Sequence, residues 1–450
     1  MLERWLRLWF TFRDRVDRGT YFRHGVGLMA FKYGLDALLV WRVAGRFWTP
    51  FDYLNPLWSV RQQLLRDAPA WLLPLMVLIA MPFLWTGVSM TMRRAVDAGA
   101  SPWLALLFFI PGVNLLLMLW LCIPVTAPSR VTSRGTVDTS SAERFRGAML
   151  GVAAALGITL LSVGMGVYLR KSYSTGLFLG APFTVGYISS YVYNYRVERP
   201  AGESVVLALG SVTIAAGAIV VFALEGLVCI AMALPIAWFV AWPGAVLGRI
   251  MARRGSLARS GVALLAPLFL GVEPRVSPPT HEAVTVVEIA APPEVVWRHV
   301  VSFPDLAPPT ELLFRAGVAA PTRARIEGDG VGAIRYCDFT TGSFVEPITA
   351  WKDNQLLAFD ITAQAPPMEE LSPYPNVHPP HLDGYFRATH GEFRLTPLPG
   401  DRTRLEGRTA YVVDMFPQAY WTVPARAIVT AIHARVLHHI QTLAEEEGHR

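Results

Sequence analysis

The chain has 450 residues; 53% are hydrophobic and only 16% are charged, where water-soluble domains run nearer a quarter. That balance excludes a mostly disordered chain, and 3 cysteines exclude a disulfide-built secreted scaffold. The net charge of +6 joins two unlike parts: residues 1–280 hold 26 basic and 13 acidic side chains, residues 281–450 hold 14 and 21. The basic surplus lies in short loops between apolar runs, where it reports membrane orientation, so nucleic acid is not an expected partner.

In chain order, Trp5, Leu8, Trp9 and Phe12 fall at helical spacing among Arg4, Arg7, Arg13 and Arg15. This reads either as an interfacial helix or as a charged tail with snorkelling arginines. Apolar runs follow at 25–45 (broken by Lys32, Asp36 and Arg42), 71–92, 103–125, 147–168, 174–195 and 204–247. The last holds one charge, Glu225, and is long enough for two crossings that turn at Glu225–Gly226. An acid within such a run is either a proton or substrate site or a turn residue capping the next helix. Cys122 and Cys229 read as small hydrophobes.

The stretch Met92–Trp103 places Arg93, Arg94, Asp97, Gly99 and Trp103 at a membrane boundary. Arg93 and Asp97 are spaced for an ion pair, Gly99 suits a helix stop and Pro102 a new start. This motif resembles that of a small bacterial inner-membrane family of unknown function, DUF805, over about residues 10–125. Val96 stands where that family usually has His. The resemblance implies a membrane domain with the motif on the cytoplasmic side, and no activity.

Loop arginines set the expected orientation. Arg93/Arg94, Arg130/Arg134/Arg144/Arg146, Arg196/Arg199 and Arg249/Arg253/Arg254/Arg259 are all cytoplasmic if 103–125 is a re-entrant hairpin broken at Pro111–Gly112. The turn at Glu225 then lies outside. Residues 260–272 are too short to span comfortably; if they lie in the interface, the C-terminal domain is cytoplasmic.

After a linker at 273–282 the pattern changes. Residues 283–290 alternate as a strand, and 291–300 open a helix with Val296, Trp297 and Val300 on one face. Residues 324–339 read as two strands turning at Gly328–Gly332, and 342–363 as two joined at Lys352–Asn354. Residues 365–383 form a Pro-rich loop, 385–414 a hairpin turning at Pro399–Asp401, and 417–447 a long helix. The opening VEIAAPPEVVWRHVVSFPD and the final helix resemble the START-like superfamily (polyketide-cyclase-like, SRPBCC, helix-grip). That resemblance implies a curved antiparallel sheet around a long helix, with a cavity between them for an apolar ligand. It supplies no catalytic motif.

The expected fold is thus a multi-pass all-α membrane domain (1–125 and 126–272), the linker, and an α+β helix-grip domain at 283–447. Arg335, Glu346 and His390 are candidate cavity polar residues, with Glu346 and His390 expected on neighbouring strands. An internal salt bridge fixing the sheet is the other reading of this group. Tyr420 and Trp421 are candidate cavity-mouth residues. His378 and His381 have no familiar metal-site spacing, so neither a metal nor a cofactor is expected.

The leading expectation is a bacterial inner-membrane protein whose C-terminal domain binds a lipid or other apolar small molecule, without being an enzyme. The alternatives are an assembly protein holding an unknown membrane partner, and an enzyme acting on a hydrophobic substrate through residues such as Glu346 and His390.

Overall fold

A computed structural model describes residues 5, 8–11, 15–53, 65, 68–69, 71–109, 113–125, 139–195, 197–222, 224–253, 277–372 and 377–448. The Pro111–Gly112 break, Arg130, Arg134, Arg196, Arg254, Arg259 and the run 260–272 lie outside them. The chain forms two compact units: residues 1–154, 189–207 and 252–255, and residues 155–188, 208–251 and 256–450.

In the first unit, helix α1 (Arg18–Ala44) starts where the Asp17 carboxylate accepts from the Gly19 and Thr20 amides, and it stops at Gly45. Helix α2 (Leu72–Asp97) carries the boundary motif and closes with the Ala100 amide on the Ala95 carbonyl at 2.8 Å. Gly99 supplies the left-handed residue of that stop, at φ 73°. The apolar run after it is split. A 3-10 helix covers Pro102–Phe109, and α3 (Val113–Cys122) has 10 residues, about 15 Å, which is half of a bilayer core.

The remaining apolar helices are α4 (Thr139–Val163, extended by a π-helical turn Gly164–Leu169), α5 (Ala181–Asn194, preceded by a π-helical turn Gly176–Gly180), α6 (Ala201–Val221) and α7 (Leu227–Arg253). Among the described residues, four segments are long and apolar enough to cross a membrane: Leu75–Asp97, Glu143–Leu169, Ala201–Val221 and Leu227–Arg253. In the second unit α5 and α7 touch backbone to backbone. A Cβ at Gly244 would lie 2.3 Å from the Phe183 carbonyl oxygen, and one at Gly248 2.2 Å from that of Tyr187, so this small-residue pair lets the helices meet.

The second unit also holds a seven-stranded antiparallel sheet in the order β1-β7-β6-β5-β4-β3-β2. The strands are β1 (Thr280–Ile289), β2 (Pro321–Glu327), β3 (Ile334–Phe339), β4 (Gly342–Lys352), β5 (Leu356–Asp360), β6 (Phe386–Leu398) and β7 (Arg402–Val413). Helix α8 (Pro293–Val301) follows β1, and the long helix α9 (Gln418–Gly448) follows β7. Val436, Leu437 and Ile440 of α9 bury against Ile289, Leu357, Leu395 and Leu405 of the sheet, with Val296, Trp297 and Val300 of α8 in the same core. This is a helix-grip fold. Alternation made the strands readable, and the apolar stripe of α9 demanded the sheet's concave face.

One expectation is corrected. The turn between α6 and α7 packs on the helix-grip fold: the Leu227 amide donates to the Leu371 carbonyl at 2.9 Å, and Met232 and Ala233 pack with Trp421 and Ala425. The Glu225 turn and the helix-grip fold therefore share one membrane face and cannot lie on opposite faces.

Candidate functional site

The arginines of the N-terminal motif serve the helix ends. Arg94, fully buried, ion-pairs with Asp97 and donates to the Leu121 carbonyl at 2.9 Å and to the Pro124 carbonyl. It thereby satisfies carbonyls left open at the end of α3. Arg93 donates to the Ser89 and Leu8 carbonyls. Trp103 packs edge-on against Phe145. These contacts are structural.

The sheet's candidate triad separates. Arg335 and Glu346 are cross-strand partners on β3 and β4, both buried, and joined by an ion pair. The guanidinium also donates to the Val301 carbonyl at 3.3 Å and faces the rings of Phe303, Phe359 and Phe393. Burial pushes the Glu346 carboxyl above its ordinary value although Arg335 opposes this. His390 is on β6, with β5 between it and Glu346, and it bonds the exposed Asp360 at 2.8 Å. It does not join the pair.

The core described above fills the sheet against the C-terminal half of α9. Further toward its start His433 bridges Thr285 and Thr409, at 3.2 and 2.8 Å. The open space lies elsewhere in the second unit, a cavity of about 210 Å³. Its walls come from α4 to α7 and from the first turns of α9, where Trp421, Pro424, Ala425 and Ile428 face it. Trp421 packs at a tilt against Phe178 with ring centroids 4.7 Å apart, and Tyr420 beside it donates to the Met232 carbonyl. The lining is aliphatic and aromatic apart from Thr159 and Ser162 on α4 and, elsewhere, Tyr173, Glu225, Cys229 and His381.

That last group is a polar cluster completed by Glu370. The Tyr173 hydroxyl donates to Glu225 Oε1 at 2.7 Å, and Glu225 Oε2 lies 3.2 Å from His381 Nδ1. On the other side of the imidazole, Nε2 lies 3.0 Å from Cys229 Sγ and 3.2 Å from Glu370 Oε1. Cys229 Sγ and Glu370 Oε1 are 3.0 Å apart. The outer oxygens, Glu225 Oε2 and Glu370 Oε2, are buried and accept no hydrogen bond of good geometry. Two carboxyl groups thus face one imidazole. Burial disfavours its charge, but its bonds to Cys229, Glu225 and Glu370 outweigh that and push His381 up to about 12.

Local structure sets each member. Glu225 and Cys229 straddle the start of α7. His381 sits in a 3-10 turn, Pro380–Leu382. Glu370 is held by the segment 367–371, whose Glu369 amide donates to the Gly317 carbonyl at 2.8 Å. Gly226 leaves room for it: a Cβ there would lie 1.7 Å from Glu370 Oε2. His378 does not converge with His381; it bonds the exposed Asp383 at 2.9 Å.

Of this cluster the sequence singled out Glu225 and weighed His381. Cys229 was read as a hydrophobe, and Tyr173 and Glu370 were missed. The available signal was Glu225 and Cys229 four residues apart at a helix start. The cluster also overturns the expectation of a non-enzyme. A buried acid, base and thiol converging at the wall of an apolar cavity form the constellation that acid/base or metal chemistry uses.

Residues 9–130 match the family model described as Protein of unknown function (DUF805). None of the curated proteins matches the chain. Among solved structures, a norcoclaurine synthase point mutant of Thalictrum flavum with a transition-state analogue is 19% identical, over 38% of this chain and 99% of that one, at TM-score 0.26. The same plant's synthase with dopamine and hydroxybenzaldehyde is 20% identical, over 39% and 92%, at TM-score 0.26. An aromatase/cyclase from a Streptomyces species is 15% identical, over 38% and 95%, at TM-score 0.24. The chain is a multi-pass membrane protein with a DUF805 match near its N-terminus and a helix-grip fold at its C-terminal side.

Proposed function

We propose that the protein is a membrane enzyme acting on an apolar substrate that enters the cavity above α9's first turns. His381, Glu225 and Tyr173 supply the polar chemistry at its wall. The observation that carries this reading is the joining of one apolar cavity to one buried acid/base cluster. Simple lipid binding needs the cavity but not the cluster, because burying unbalanced carboxyl groups costs stability that a binding site does not repay. The cavity volume, about 210 Å³, is below the ~300–1,000 Å³ of drug-sized ligand sites and suits a short acyl segment or a small ring system.

The test compares apolar extracts of membranes holding matched amounts of wild-type, His381→Gln and Glu225→Gln protein, by mass spectrometry. One species consumed or formed with wild type alone supports the reading. A species retained equally by all three proteins, with no change in its chemistry, returns the protein to binding and overturns it.

The membrane face belongs to the same proposal. Helix α7 leaves the helix-grip fold at Leu227 and ends about 40 Å away, after 27 residues, at Arg253, with Arg249 in its last turns. If those arginines are cytoplasmic, the helix-grip fold and the cluster face the periplasm. A periplasm-dependent reporter fused after Arg450 is then active; an active cytoplasm-only reporter at that position reverses the orientation.

A further inference from the structure

We infer that Cys229, Glu370 and His381 form a three-ligand site for a zinc-class divalent ion, with Glu225 as the outer carboxylate that orients His381. Thiolate sulfur, imidazole nitrogen and carboxylate oxygen are the three donor types that zinc takes. The three donor atoms form a triangle with edges of 3.0, 3.0 and 3.2 Å. Tetrahedral zinc, with bonds of ~2.0–2.3 Å, sets such edges at roughly 3.3–3.6 Å, so the triangle has to open by only a few tenths of an ångström.

The surroundings point the same way. A metal-bound imidazole gives its other ring N–H to a carboxylate, and Glu225 Oε2 stands at Nδ1, 3.2 Å away. The Tyr173 hydroxyl fixes that carboxylate from behind through Oε1. Glu370 Oε2, beside the ligating Oε1, is buried with no hydrogen-bond donor, so no protein donor outside the cluster neutralises this carboxylate. A cation answers the excess of two carboxyl groups over one imidazole, which the residues alone leave unbalanced. Cys229 and His381 also line the apolar cavity, so a fourth position on the ion opens toward it. Three protein ligands and one open position distinguish catalytic from structural zinc. An ion there would polarise a carbonyl or activate a water at the cavity wall. The ion's use in catalysis rests on the function proposed above; its binding does not.

The experiment uses full-length protein in detergent, stripped with a chelator, then loaded with zinc or cobalt(II). Metal content is read by mass spectrometry and thiolate ligation by the cobalt–thiolate absorption band. Wild type is expected to retain about one ion per chain and to show the band. Cys229→Ser, nearly isosteric, loses the band and binds at least 10-fold more weakly. Glu225→Gln keeps the band but weakens binding 10- to 100-fold, the effect of an outer-shell partner. Cys122→Ser changes neither readout. Wild type that takes up no stoichiometric ion, or Cys229→Ser that holds zinc as tightly as wild type, overturns the inference. Apolar-extract changes that depend on His381 and persist in chelated membranes leave the enzyme standing without the metal. A bound ion with no such change leaves the metal site without the enzyme.

Discussion

The second unit contains two buried polar islands, and they differ in balance. Arg335 and Glu346 are one base and one acid, paired across neighbouring strands and closed off by three aromatic rings. Glu225, Glu370 and His381 are two acids and one imidazole, with a thiol added and an apolar cavity alongside. Burial alone therefore does not mark a functional site in this fold. The first island balances one charge with the other under three rings, although Arg335 Nη2 is buried without a hydrogen-bond partner. The second is over-supplied with negative groups and opens on a void. The proposed function rests on that imbalance.

The largest expected effect tests the closed island. Glu346→Ala leaves the Arg335 guanidinium buried without its counter-ion and costs about 3–5 kcal/mol, read as lower thermal stability of the full-length protein in detergent. A loss below about 1 kcal/mol would show that water reaches this pair and would end the contrast. Next comes acid sensitivity, centred on His433 of α9, which bonds Thr285 and Thr409. Burial holds its imidazole down to about 4, from an ordinary 6.5. The neutral form is favoured in the folded state, so this contribution is complete above about pH 6.5 and is lost as pH falls toward 4. The loss is on the order of 3 kcal/mol, and His433→Gln should flatten the stability–pH slope in that window.

The open island predicts a smaller stability effect. Tyr173→Phe removes one hydrogen bond to Glu225 and costs about 1–2 kcal/mol, while the apolar-extract change attributed to the enzyme falls. A variant as active and as stable as wild type would detach Tyr173 from the cluster. The smallest effect contrasts the two histidines. His390→Ala removes an exposed pair with Asp360 and should shift stability by no more than about 0.5 kcal/mol, with no change in extracts or metal content. A larger loss would mean that the sheet depends on its outer face.

The strands, the Pro399–Asp401 turn and the long helix were legible because alternation and helical periodicity are local signals. The Arg335–Glu346 pair was legible too, since a tight turn at Gly342 fixes which residues stand opposite each other. The second island was not. Glu225 and Cys229 belong to a hydrophobic run, while Glu370 and His381 belong to a Pro-rich loop without periodicity. Their meeting depends on a membrane helix docking against that loop, and no local rule encodes such a distance in sequence. The shared membrane face of turn and fold was missed for the same reason: loop charge orients helices but does not report what packs on a turn.

The composite origin of the second island also bears on biosynthesis. Glu225 and Cys229 leave the ribosome about 140–145 residues before Glu370, which at ~5–20 residues per second is a wait of roughly 7–29 s. During that interval the growing membrane segment carries an acid and a thiol with neither their histidine nor Glu370. Segment 367–371 docks on Leu227 and the 3-10 turn delivers His381 only after most of the sheet has been synthesised. Assembly order thus keeps the cluster incomplete until the globular part is made, so a prematurely terminated chain inserts without acquiring it.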